Sequence, residues 1–402
     1  MSFNIALSGI QAINQQLESS SNNIANAGTY GFKSSRANFG SMYAGEQATG
    51  VQVNSLTQNI GLSGGLLTTN RATDAAIGGR GFFLVKDASG ETTYTRVGIF
   101  EKGPTDFLID SNGKKVQGFA MTPPSLVRGA LGDIKIPTGV LPAKPSTKIA
   151  FVSNMSADWP VPAAAWTPPV APAEPAPNTY NMTKTSVIYD SLGVDHKVNQ
   201  YFRKNAANPL QVDVYVTVDG VPSGGAPTTL TFDAFGQLTP AVTSQNLALA
   251  LGSAAPQTIK IDYLGSTLQK GETSTSTNVP DGYASGTYNK LELGEDGSVI
   301  AKYSNGESQT VGVVALATFA DEDGLTPVDA TSWTSSNRSG TADVGEPGMG
   351  RAGKLSVGGL EQSNVDVTSE LVGLMTSQRN YQANSKVLQT ENTMLQSLMQ
   401  AL

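Results

Sequence analysis

SNVDVTSELVGLMTSQRNYQANSKVLQTENTMLQSLMQAL, residues 363–402, decides how this chain is organised. Leu374, Tyr381, Leu388, Leu395 and Leu402 recur every seven residues, with Leu371 and Met399 at the intervening seam positions beside Gln378, Ser385 and Asn392. An apolar seam held over successive heptads predicts a long helix that pairs along one stripe.

The other end of the chain carries a matching stripe. Phe3, Leu7, Ile10, Asn14, Leu17, Ser21 and Ile24 alternate spacings of four and three, which puts them on one helical face. Neither segment contains Pro, and away from the seams both are rich in Gln, Asn and Ser; Glu18 is the sole charged side chain in residues 1–24. A helix face kept in water normally intersperses charges. A neutral polar face therefore predicts contacts on several sides, with the helices buried among copies of themselves. Energetics agree: burying the N-terminal seam yields on the order of 10 kcal/mol, while ordering its backbone costs roughly 20–40 kcal/mol before hydrogen bonds offset it. The expected interface is Phe3, Leu7, Ile10, Leu17 and Ile24 with Leu371, Leu374, Tyr381, Leu388, Leu395 and Leu402.

Inward from the helices the pattern turns to β structure. Short alternating strands are broken by DSNG at 110–113, EDGS at 295–298 and SNGE at 304–307. The expected fold is mainly β with paired α-helical termini. Residues 1–30 and 363–402 would form a terminal helical domain and 31–70 a partly extended connector. Residues 71–145 and 284–362 would form one β domain, and 146–283 a second inserted into it, with Pro142, Pro145 and Pro280 marking the passages. Residues 158–178, DWPVPAAAWTPPVAPAEPAPN, are too proline-rich for helix or central strand and predict an extended surface loop.

Composition excludes several function classes. Across 402 residues the formal net charge is -7 and no basic run occurs, which argues against a nucleic-acid binder or an adherent of anionic membranes. Charged residues make up 15%, below the roughly 25% usual in soluble domains, and favour neutral, turn-rich surfaces. With no Cys, disulfides and thiolate chemistry are ruled out. The first residues show no basic n-region and no unbroken apolar core, so a cleaved secretory signal is not expected; nor is a bilayer-spanning stretch.

NNIANAGTYGFK, residues 22–33, follows the first helix, and Asn26, Gly28 and Gly31 suit a helix end and tight turn. The string resembles the signature of the flagellar rod and hook axial proteins through Asn22, Asn23, Ile24, Ala25, Asn26, Thr29, Gly31, Phe32 and Lys33. GGRGFFLV at 78–85 followed by YTRVGIF at 94–100 resembles that family's strand pair, with Arg96 and Gly98 in register. The C-terminal stretch is similar through Asn364, Val365, Asp366, Glu370, Gln378, Arg379, Tyr381 and Asn384, and DSLGVDHKVNQYF at 190–202 resembles a hook-protein hairpin. Pro104 departs from the pattern.

The resemblance implies a structural subunit that self-assembles into a flexible tubular coupling carrying torque from motor to filament. It implies export without a cleaved signal through the type III apparatus to an extracellular position. It also implies partners in the hook cap, the distal rod and the hook–filament junction. The inserted domain favours hook over distal rod; an extracellular adhesin is the reading from another class.

No catalytic, metal or cofactor constellation emerges. His196 stands alone and reads as a surface strand residue. Counting from Asp321, an EF-hand would need Gly sixth and Glu twelfth, where Thr326 and Ser332 stand. The glycines at 78, 79 and 81 make no phosphate loop. The chain is not expected to be an enzyme.

Overall fold

The computed structural model describes residues 2–45, 47–121, 127–170, 174–223, 226–249 and 254–401. The chain is mostly strand, with helix α1 (Ser2–Ala25) at one end and α2 (Val367–Ala401) at the other. It divides into two compact units: Met1–Thr138 with Lys290–Lys302 and Ser308–Leu402, and Gly139–Asn289 with Tyr303–Glu307. The 304–307 turn clusters with the second unit because Ser304 N–H donates to the Thr287 carbonyl and Asn305 Nδ2 to the Ala284 carbonyl.

In the first unit, residues 35–58 do not form the partly extended connector expected for 31–70. They make an antiparallel hairpin of β1 (Ser35–Ala44) and β2 (Gln47–Gln58). The hairpin lacks apolar periodicity because much of it is exposed, and its ladder is reinforced by polar cross-strand bonds from Asn38 to Ser55 and Thr57. Then follow β3 (Leu66–Thr68), β4 (Ala75–Gly78), β5 (Phe82–Lys86) and β6 (Thr92–Thr95). β5 and β6 pair antiparallel with Phe83 opposite Thr95, inside a 13-stranded sheet. Phe82, Phe83, Leu84 and Val85 are all buried, which explains an unbroken apolar run in a strand covered on both faces. Phe82 meets Trp333 and Phe319 edge-on, while Phe83 meets Phe100.

The second unit is a sandwich of two five-stranded sheets. Lys148–Ser156 runs parallel to Gln257–Asp262 and Thr267–Gln269 and antiparallel to Ser274–Pro280; Met182–Tyr189, Asp195–Lys204 and Gln211–Val218 form the antiparallel centre of the other sheet. Ile149 and Phe151 from one sheet share a core with Val198 and Phe202 from the other, and Phe151 stacks on Phe202 at 5.2 Å. Buried Gln200 accepts a bond from the Tyr263 hydroxyl at 3.0 Å, so this core leaves that polar pair satisfied.

One turn recurs across both units. At 87–90, 110–113, 190–193 and 233–236 an Asp side chain accepts the N–H groups two and four residues on. The fourth position is a glycine with positive φ: Gly90, Gly113, Gly193 and Gly236. The carboxylate replaces backbone bonds that the tight turn cannot make.

The proline-rich stretch is tied down where it is described: Asn181 Nδ2 donates to the Pro160 carbonyl, and Trp166 stacks on Tyr215 at 4.3 Å. Residues 171–173 lie outside the described residues.

Candidate assembly interface

α1 and α2 pack antiparallel: Asn23 meets Glu370, and Gly9 faces Asn384. The side of α1 turned inward is made of small residues. Ala6, Ala12, Ser19, Ser20 and Asn23 are buried. A Cβ at Gly9 would sit 3.0 Å from Asn384 Nδ2, so the helices approach as closely as a missing side chain allows. β1 and β2 lie against the same helix, where Ser8 Oγ accepts the Val51 N–H at 3.2 Å and Ser19 Oγ donates to the Ser35 carbonyl at 2.9 Å.

The seam residues are divided between exposed and half-buried positions. Phe3 and Leu7 are 41% and 40% exposed, and Ile10, Leu17 and Ile24 are half-buried. On α2, Leu374 and Leu388 are half-buried beside buried Ser377, whereas Leu371, Tyr381, Leu395 and Met399 are exposed. Exposed Ile5, Val372, Met375, Val387 and Met394 widen the apolar surface. Leu402 lies outside the described residues. Two helices built this way meet through small side chains and leave many of their large ones exposed.

The three sequence motifs converge on one junction inside the first unit. Lys33 Nζ lies 2.6 Å from Glu361 Oε1 and donates to the Leu62 carbonyl; Arg96 Nη1 lies 3.4 Å from Glu361 Oε2 and donates to the Gly79 carbonyl. All three side chains are almost wholly buried. Burial pulls the Lys33 ammonium below its usual range, with Glu361 opposing the shift. Gly31 has φ +68, and a Cβ there would press on the Arg96–Val97 backbone. At Gly98 a Cβ would collide with the Ala75 carbonyl. Of the three residues suited to the helix end and turn, Gly31 alone takes a left-handed angle; Asn26 bonds its side chain to the Asn22 carbonyl and accepts from Thr29, and Gly28 faces open space.

Two asparagines from opposite chain ends flank this junction. Asn23 Oδ1 accepts the Ser35 N–H while its Nδ2 donates to the Ser35 carbonyl and to Glu370 Oε1. Asn364 Oδ1 accepts the Ser34 N–H, and its Nδ2 donates to the carbonyls of Asn59 and Leu62. Asp366 caps α2 by accepting the Thr368 N–H at 2.9 Å. Gln378 and Arg379 are exposed on α2.

Family models match in three places: a flagellar hook protein FlgE/F/G D1 domain over residues 76–150, a flagellar basal body protein FlaE D2 domain over 156–283, and the flagellar basal body rod FlgEFG protein C-terminal region over 356–401. The flagellar hook protein FlgE of Escherichia coli K12 is 34% identical, covering 99% of each chain; that of Salmonella typhimurium is 35% identical over the same shares. The chain belongs to the flagellar hook protein family. Treponema pallidum FlgE, 30% identical over 98% of this chain and 97% of its own, extends the likeness to a spirochaete. A solved structure of Helicobacter pylori hook protein FlgE2 shares the fold at TM-score 0.51 and 13% identity, covering 74% of this chain and 99% of that one. The full-length matches to hook proteins place the chain with them and set aside the distal-rod and adhesin readings.

For a hook-family chain, the junction identifies residues that the sequence reading passed over. Glu361 stands in GGLEQ, and nothing in its neighbourhood marks it as the partner of Lys33 and Arg96. The inward helix face was missed because Ala, Gly and Ser give no hydrophobic signal. His196, read as a surface strand residue, is largely enclosed between two turns, with Nδ1 2.7 Å from Asp219 Oδ2 and Nε2 3.5 Å from Asp190 Oδ2. Asp219 is bonded to Nδ1, while Asp190 lies on the Nε2 side at ion-pair distance only, an arrangement that suits a proton rather than a shared metal ion. Asp321 pairs with Arg338 and caps the turn at Glu322–Gly324.

Proposed function

We propose that this chain is a structural, non-enzymatic subunit of the flagellar hook, joined to its copies through α1 and α2 into a flexible tube that passes torque from motor to filament. The observation that carries this reading is the inside-out pairing of the two helices, small residues inward and large apolar ones outward. Burying the outward side chains offers on the order of 10 kcal/mol. Association itself costs about 4–15 kcal/mol. One neighbour is therefore a near-even bargain, and a lattice in which each helix pair meets several copies is what makes the contact stable.

In this arrangement residues 1–30 and 363–402 form the inner tube, 31–70 reach toward neighbouring copies, and the tube carries the β domains at 71–145 with 284–362 and at 146–283. Its place outside the cell is reached through the type III export apparatus. Its other partners are the hook cap, the distal rod and the hook–filament junction proteins. Family membership supports these assignments.

The test is electron microscopy of basal bodies from a strain whose hook subunit carries Leu371→Asp and Leu395→Asp. Rods that end without a hook are expected. Hooks of normal length and curvature would remove the helices from the assembly role.

A further inference from the structure

The Lys33–Glu361–Arg96 junction is assembled from distant parts of the chain: Glu361 lies 328 residues from Lys33 and 265 from Arg96. Both cations belong to the early part of the sequence, and the carboxylate that touches them belongs to the end. Their side chains are 0% and 2% exposed, so water cannot stand in for the carboxylate. The other carboxylate near the cluster, Glu322, is already held by Arg80 at 2.8 Å. The remaining contacts are the carbonyls of Leu62 and Gly79 and the face of the Phe82 ring, 4.9 Å from the Arg96 guanidinium; none of them carries a net charge.

We infer that Glu361 makes folding of the first unit conditional on the C-terminal segment, so that the junction works as a completeness check on the chain. A chain whose end has not yet joined would bury two cations without a carboxylate in contact, a state that a folded protein avoids. Docking of Glu361 also brings its neighbours into place. Its backbone carbonyl accepts the Gly31 N–H, its Oε1 accepts the Gly64 N–H, and Asn364 then reaches Ser34. The same event that neutralises the cations thus fixes the segment from which α1 and the hairpin depart. A subunit cut short before residue 361 lacks the carboxylate and does not present that segment for assembly. This follows from the junction itself and does not depend on which polymer the chain builds.

The experiment compares full-length chains by amide hydrogen exchange, with the second unit as internal reference. Glu361→Gln keeps the shape and removes the charge; it should lower the folding equilibrium of the first unit roughly a hundredfold or more while protection in the second unit is unchanged. Adding Lys33→Met to Glu361→Gln should recover part of that loss. Replacing all three with methionine should recover most of it, because a junction without charge needs no partner. A Glu361→Gln chain within about twofold of the parent shows that the carboxylate is not required and overturns the inference. So does a series in which removing the cations recovers nothing, since the defect would then be one of shape and hydrogen bonding.

Discussion

The sandwich and the terminal helix pair solve opposite problems. In the sandwich the largest side chains face inward: Phe151, Phe202 and Tyr263 are fully buried, and the polar Gln200 among them is satisfied. In the helix pair the smallest side chains face inward, at Ala6, Gly9 and Ala12, while Phe3, Leu7, Leu371 and Leu395 face out. One region buries its large apolar side chains within the chain, and the other leaves several of them exposed, where the proposed assembly would cover them. The contrast teaches that burial in a single chain ranks residues by their part in folding, and would rank last the residues that the proposed assembly uses.

Four substitutions test that contrast. Phe202→Ala should cost the sandwich about 3–5 kcal/mol through lost burial and a residual cavity. Urea unfolding followed by circular dichroism, with hydrogen exchange to separate the units, would read it. Gly9→Leu should force α1 from Asn384 and cost about 1–3 kcal/mol by overpacking. Its signature is faster exchange along α1 and α2 with no change in the sandwich; unchanged exchange would show that the close approach is dispensable.

A smaller effect belongs to His196. Burial opposes charging its ring, but Asp219 and Asp190 outweigh that and raise its affinity for a proton above the ordinary histidine value. A raised folded-state value means that the contribution is fully present below about pH 6.5, the unfolded reference. It fades as pH rises through the folded-state value. With Asp219 half exposed, screening keeps this under about 1 kcal/mol. His196→Gln should flatten the stability of the sandwich between pH 5 and 8, measured by urea midpoints. A slope that survives the substitution would place the titration elsewhere.

The smallest change expected in the single chain comes from Leu395→Asp, within about 0.5 kcal/mol because the site is exposed there. Analytical ultracentrifugation under polymerising conditions should nevertheless find the chain confined to monomer. A monomer destabilised as strongly as by Phe202→Ala would erase the distinction between the two regions.

Much of this architecture was legible in the sequence, for identifiable reasons. The helices announced themselves by heptads, and the β regions by turns in which Asp and Gly have fixed duties, as at Asp190 and Gly193. The terminal motifs pointed to residues that meet in the fold, since Lys33 and Arg96 share Glu361. What stayed hidden lacked a periodic signal. The β1–β2 hairpin is stabilised by its ladder and by polar pairs such as Asn38 with Ser55, so no apolar alternation betrays it. Glu361 is one carboxylate among many, and only the closure of the chain assigns it a partner. On α1 a periodic signal was present, but the buried positions within the chain are the small residues Ala6, Ala12, Ser19 and Ser20 with Asn23, rather than the seam.

The placement of the tryptophans has a practical consequence. Trp166 lies on Tyr215 in the sandwich, whereas the indole N–H of Trp333 is bonded to Gln58 at the foot of the β1–β2 hairpin. Lifting the proline-rich strap changes the surroundings of the first, and undocking the hairpin changes those of the second. With Trp159 and Trp166 replaced by Phe, the intrinsic fluorescence of Trp333 becomes a label-free optical reporter of hairpin attachment, readable in real time as subunits polymerise.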